Sequence, residues 1–289
     1  MSTPTNKYGL SRDIPDDIKR EVRRACGFGC VLCGKALIQY EHFNPEFAEA
    51  DAHAAGGIAL LCGGCHDRKT RGRLNNEAVA AARSSPHALQ DGFVRDALQI
   101  GVNEVSIMLG DCVVVASVIL RIAGTDIISV EQPEQNGGPH RINAVFENAA
   151  GEVVCRIREN EILVSVLPWD VEIIGPTLHV RNGPRDMALS LTSIPGRGFR
   201  VDRLDMVHAG KRVRVESNGD LVLPGENRLA VVASPTAERQ STSASRRYLR
   251  SATYSSRTGP YAARSQLMRS RAQGYRTPIP IVPGDDRNG

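Results

Sequence analysis

Four of the seven cysteines fall as two C-x-x-C pairs, Cys30 and Cys33 in CVLC and Cys62 and Cys65 in CGGC, with 28 residues between Cys33 and Cys62. A tight knuckle delivers two thiolates to one point, and two knuckles close a tetrahedral four-sulfur site, the usual arrangement of structural zinc. The interval exceeds the common zinc-ribbon spacing and leaves room for an inserted element. Cys26, Cys112 and Cys155 are scattered, so the pattern is metal binding with spare thiols in a reducing compartment, not a disulfide frame. Inside the clamp, QYEHFNPEF sets Glu41 beside His42 with Pro45 just downstream, and CGGC runs directly into His66, Asp67, Arg68, Lys69 and Thr70.

Written in order, C-x2-C, E-H-x-x-P and G-G-I-x-L-L-C-x-x-C-H-x-x-K-T resemble the HNH endonucleases with a four-cysteine zinc frame, whose core is a ββα-metal unit. The resemblance covers residues 22–73. It implies that His42 is the general base that activates water and that Glu41, where the family usually has Asp, is a ligand of the catalytic divalent metal. His66, the last residue of the motif, is by the same implication the second ligand, on the helix after the second knuckle. The middle motif residue, usually an Asn that fixes the loop carrying the base, corresponds to Gly57. The implied cofactors are a structural Zn²⁺ and a catalytic Mg²⁺, or Mn²⁺, Ni²⁺ or Zn²⁺ in its place.

Such a set can do the chemistry that a phosphodiester requires. The diester repels nucleophiles and has a poor leaving alkoxide, so hydrolysis needs an activated water and a cation at the leaving oxygen. An imidazole titrating near neutrality serves the first need; a hard metal held by an oxygen and an imidazole serves the second. Adjacent strand residues point to opposite faces, so Glu41 and His42 flank the substrate phosphate only from two sides. Arg68, Lys69, Arg71 and Arg73 are placed to neutralise backbone phosphates, and no base-reading element is visible. The leading expectation is a metal-dependent endonuclease acting on DNA. The alternative is a catalytically inactive, zinc-stabilised nucleic-acid-binding or adaptor protein. In a third reading, a β-sandwich interaction protein carries the N-terminal module only as a structural cap. His53, in ADAHAAGG, is expected to be a loop residue.

The elements that must position these groups divide the chain into three regions. Residues 12–100 hold every metal-type cluster. They open with IPDDIKREVRRACG, where Ile14, Ile18, Val22 and Ala25 recur at helical spacing between Pro15 and Gly27. A short helix is expected at NNEAVAAARSS, stopped by Pro86, and a connector with some helix from there to Gly101. Residues 101–234 are short β-rich runs broken by turn residues, including KRVRVES and TLHVRN with period two. The expected fold class is therefore α+β, with a small zinc-stabilised domain followed by an all-β domain, a β-sandwich ahead of a β-solenoid. Trp169-Asp170, His179 and His208 are expected to serve packing or turn chemistry, and the β-rich domain targeting, sensing or oligomerisation.

Residues 235–289 are rich in Arg, Ser and Tyr and poor in aliphatics, which predicts disorder. From Ser234 onward ten arginines face three acidic residues, although the whole chain carries only +4. That asymmetry fits a polyanionic partner, DNA first, with a protein partner or a second copy through the β-rich domain. The opening MSTPTNKYGL lacks a secretory pattern and no stretch nears ~18 apolar residues, so a cytoplasmic location and no membrane partner are expected.

Overall fold

The computed structural model describes residues 5–223; the stretch 235–289, expected to be disordered, lies outside them. Helix α1 (Asp16–Ala25) begins after Pro15, carries Asp16 and Asp17 in its first turn and Arg23 and Arg24 in its last, and buries Val22 completely. Acidic residues at the start and basic ones at the end complement the helix dipole. A hairpin-like pair follows, β1 (Gln39–His42) and β2 (Ile58–Leu61), with a single 3₁₀ turn (Ala55–Gly57) leading into β2. The pair is antiparallel, with Glu41 opposite Ala59 and His42 opposite Ile58. Next come α2 (Gly63–Thr70), α3 (Asn76–Ser84) and α4 (His87–Asp91). The Asn75 side chain caps α3 by accepting the Ala78 N–H.

Strands then take over: β3 (Phe93–Ala97), β4 (Ser106–Leu109), β5 (Cys112–Val114), β6 (Val118–Ile122), β7 (Thr125–Glu131), β8 (Arg141–Glu147) and β9 (Val153–Arg158). They continue with β10 (Glu161–Ser165), β11 (Asp170–Ile174), β12 (Thr177–Gly183), β13 (Asp186–Ile194), β14 (Gly198–His208), β15 (Lys211–Val215) and β16 (Leu221–Val222). One sheet has the order β3-β10-β9-β8-β7-β6; the other runs β11-β12-β13-β14-β15-β16, with β4 pairing parallel to β14 and antiparallel to β5. The inner side chains of both sheets belong to one apolar core, where Phe146 of β8 meets Phe199 of β14 edge to face at 6.1 Å. The fold is thus mixed α+β and dominated by sheet.

Three strands lie where no strand-forming run was expected: β3, β4 and β14, the last being the longest of all. β14 hides because Asp202 and Arg203 are consecutive polar residues, half-buried, at a bulge in the pairing with β13. The extra residue shifts the phase of the alternation, so period two fails at mid-strand. β3 falls inside the expected connector. Its Arg95 N–H donates to the Gly34 carbonyl at 3.0 Å, and its Arg95 carbonyl accepts from the Ala36 N–H at 2.9 Å. The first cysteine knuckle is therefore stitched to the six-stranded sheet.

A second join is ionic. Arg23 of α1 makes a two-pronged pair with Asp170 of β11, Nε to Oδ1 at 2.9 Å and Nη2 to Oδ2 at 2.7 Å. Its Nη1 donates to the Tyr40 hydroxyl at 2.9 Å and to Glu172 at 3.1 Å. Both Arg23 and Asp170 are buried. Of the two roles expected for Trp169-Asp170, packing is the one observed: Arg20 stacks on the Trp169 ring at 4.4 Å, and Asp170 anchors α1. Removing one member of a buried pair strands the other charge in a poorly solvated site, so Arg23→Met is expected to cost about 3–5 kcal/mol in chemical denaturation. Arg23→Met combined with Asp170→Leu should cost clearly less than Arg23→Met alone.

Candidate functional site

The four expected zinc ligands converge. In the first knuckle the Cys30 carbonyl accepts the N–H groups of Cys33 at 3.3 Å and Gly34 at 2.8 Å, which folds the two thiols to one side. In the second, Cys62 precedes the first turn of α2 and Cys65 lies within it. All four sulfurs lie within 4.8 Å of one another, with Cys33 to Cys62 at 3.6 Å and Cys33 to Cys65 at 4.0 Å. A zinc tetrahedron with sulfur arms of about 2.3 Å has edges of about 3.8 Å, so the donor set fits the ion in number, type and spacing. The electrostatics ask for one as well. Burial pushes the Cys33 thiol up to about 11 and raises Cys65 further, helped by the neighbouring Cys30. At Cys62 burial acts the same way but is outweighed by the Cys65 N–H and the surrounding thiols, so its value falls. Thiols crowded together in this way are held as thiolates by a cation among them.

Strand β1 then divides its chemistry between two faces. On one, Glu41 Oε2 lies 3.0 Å from His66 Nε2, joining the two residues that the resemblance pairs as ligands. For a hard ion with octahedral arms of about 2.1 Å, neighbouring donors sit about 3.0 Å apart, so this carboxylate and imidazole fit as two ligands of a Mg²⁺-sized ion. The other oxygen, Oε1, accepts from Lys69 Nζ at 2.8 Å. Burial disfavours the Lys69 charge, but the Glu41 carboxylate outweighs it and raises the lysine above its ordinary value. Lys69 also reaches Glu46 at 3.5 Å, and Glu46 accepts from Asn76 at 2.8 Å.

On the opposite face His42 meets different neighbours. Its Nε2 is 3.0 Å from His53 Nδ1, and its ring packs edge-on against Phe47 at 5.5 Å. The Arg12 guanidinium lies over the same Phe47 ring at 4.6 Å. His42, Arg12, Ile14, Lys19, Tyr40 and Phe47 together line a cleft of about 230 Å³. Lys19 is paired with Asp13 at 3.0 Å, whereas Arg12 has no carboxylate partner among the described residues. Burial chiefly, then His53 and Arg12, lower the His42 value below that of an ordinary histidine against the pull of Glu41.

Gly57 works through its backbone. Its carbonyl accepts the N–H groups of Phe43 at 3.0 Å and Asn44 at 3.3 Å, holding the loop that leaves His42. A Cβ at this position would overlap the Asn44 carbonyl oxygen, so no side chain fits. The tether that an Asn side chain would provide is made here by main chain alone.

The expected basic run splits apart. Lys69 belongs to the Glu41 cluster, Arg71 pairs with Asp67 at 2.9 Å, and Arg68, Arg71 and Arg73 are exposed. Sequence reasoning missed Arg12, Lys19 and Tyr40 as neighbours of His42. His53 is the loop residue expected, but its ring bond to His42 was not foreseen. For Tyr40 a signal existed, since i and i+2 share a strand face. For Arg12 and His53 there was none, because loop closure brings them in. Comparison with family models, with curated proteins and with solved structures gave no match.

The zinc assignment predicts about one zinc per chain by elemental analysis, and a marked fall in both zinc content and thermal midpoint for Cys62→Ser. Gly57→Ala is expected to destabilise by about 1–3 kcal/mol or more, measured by denaturation of the zinc-loaded protein, because the backbone at Asn44 must give way.

Proposed function

We propose that the N-terminal module is a metal-dependent endonuclease of the HNH type that hydrolyses phosphodiester bonds in DNA. The observation that carries this reading is the arrangement on β1: Glu41 joined to His66 on one face and His42 lining a cleft with Arg12 and Lys19 on the other, in the module that also holds the four-cysteine cluster. In this reading β1, β2 and α2 are the ββα-metal unit, and zinc at Cys30, Cys33, Cys62 and Cys65 is structural.

Glu41 and His66 would hold the divalent ion, which when bound neutralises charge at the leaving oxygen. His42 takes the proton of the attacking water, for which its neutral form is required. Arg12, fixed against Phe47 and free of a carboxylate partner among the described residues, offsets phosphate charge in the cleft. The exposed Arg68, Arg71 and Arg73 add attraction to the nucleic-acid backbone without sequence preference. The β-rich region serves targeting, sensing or self-association.

One contact favours a second reading. Lys69 already pairs with one oxygen of Glu41, as a resident cation would in a nuclease-like module that binds nucleic acid without cutting it. Nicking of supercoiled plasmid with Mg²⁺ or Mn²⁺ separates the two. Endonuclease activity should fall about 10²–10⁴-fold in His42→Ala, and should be lost in Glu41→Ala and His66→Ala with zinc content retained. Equal nicking by wild type and His42→Ala would eliminate the endonuclease reading. Binding without nicking under every metal, with Lys69→Ala gaining Mn²⁺ affinity, would establish the second.

A further inference from the structure

We propose that His53 is the positioning residue for His42: it accepts a hydrogen bond from His42 Nε2–H, fixes the tautomer, and leaves His42 Nδ1 as the proton-accepting atom. This rests on the reading of His42 as the base.

The two rings are held with His42 Nε2 and His53 Nδ1 3.0 Å apart and ring centroids 5.2 Å apart, tilted by 48°. A neutral imidazole carries one N–H, so a single proton bridges this contact and only two arrangements exist. If His53 Nδ1 donated, His42 would carry its own proton on Nδ1 and would retain no lone pair for water. If His42 Nε2 donates, the Nδ1 lone pair is free. The reading of His42 as base requires the second arrangement, and the 3.0 Å contact accommodates it.

His53 has no other evident polar task. Its bond to His42 is its only side-chain hydrogen bond among the described residues, and its Nε2 is buried without a partner there. Gly57 explains the need. With no side chain possible at that position, the backbone of the loop after His42 is tethered but the imidazole itself is not. His53 fixes the ring.

The proton count is simple. Water gives one proton to His42 Nδ1 and the resulting hydroxide forms the bond to phosphorus. The bond to the leaving oxygen breaks with its electron pair, and His42 returns its proton to solvent. His53 neither gains nor loses a proton; its Nδ1 accepts a bond that becomes charge-assisted while His42 is an imidazolium.

Nitrogen NMR of the full-length, zinc-loaded protein with ¹⁵N-labelled histidine tests this without reference to activity. The expected spectrum has His42 protonated at Nε2 and bare at Nδ1, with a coupling across the hydrogen bond to His53 Nδ1. His42 protonated at Nδ1 would overturn the proposal. Kinetics supply the second arm. His53→Ala should lower kcat about 10²-fold with KM little changed. His53→Asn, whose Oδ1 can accept near the place of Nδ1, should restore most of it and keep the tautomer. Unchanged kcat in a His53→Ala protein that retains its zinc would sink the positioning role while leaving the endonuclease reading intact. If wild type cuts nothing, the endonuclease reading falls, and the tautomer read by NMR still decides the pairing.

Discussion

The N-terminal module depends on the closure of its four thiols. Its only sheet is the two-stranded pair β1 and β2, too small to be stable by itself in water. Its apolar cluster is modest, built around Val22, Ile58, Leu60, Leu61 and Val79, with Cys30, Cys62 and Cys65 among its members. The sulfurs that are placed to hold a metal are therefore also part of the core. The knuckles anchor the two places from which the site grows: Val31, inside the first, donates to Leu60 of β2 at 2.9 Å, and Cys62 opens the helix that carries His66 and Lys69.

Further stability comes from the β-rich region: Phe28 and Ala36 enter its apolar core, and two polar joins of different kind add to that. The backbone stitch between Gly34, Ala36 and Arg95 holds the back of the first knuckle. The Arg23 network reaches from Asp170 and Glu172 of β11 to the Tyr40 hydroxyl. Tyr40 shares its strand face with His42, so the sheet edge and the cleft are linked through one guanidinium.

Legibility in the sequence followed the range of the interactions. The cysteine pairs were readable because C-x-x-C is a local device whose geometry is set within one turn. Helix α1 and strand β15 were readable because each has one buried face and no irregularity. β14 escaped because a bulge at Asp202 breaks its alternation, and such a bulge is fixed by the partner strand, not by the strand itself. The anchoring role of Asp170 escaped because it depends on an arginine 147 positions earlier. His53 lay among alanines and glycines in ADAHAAGG, where nothing local indicates that the ring will meet His42.

The division of β1 into two faces has a consequence for pairing fidelity. A slip of one residue between β1 and β2 would exchange the sides of Glu41 and His42, sending the carboxylate to the Arg12 cleft and the imidazole toward α2. Four paired residues give weak insurance against such a slip. The close fit of Gly57 against Asn44 blocks the slip in one direction, which would bring the Ile58 side chain to that spot; the opposite slip would bring Gly56, which also lacks one. The glycine pair thus guards the frame from one side, and the paired strand residues must guard it from the other.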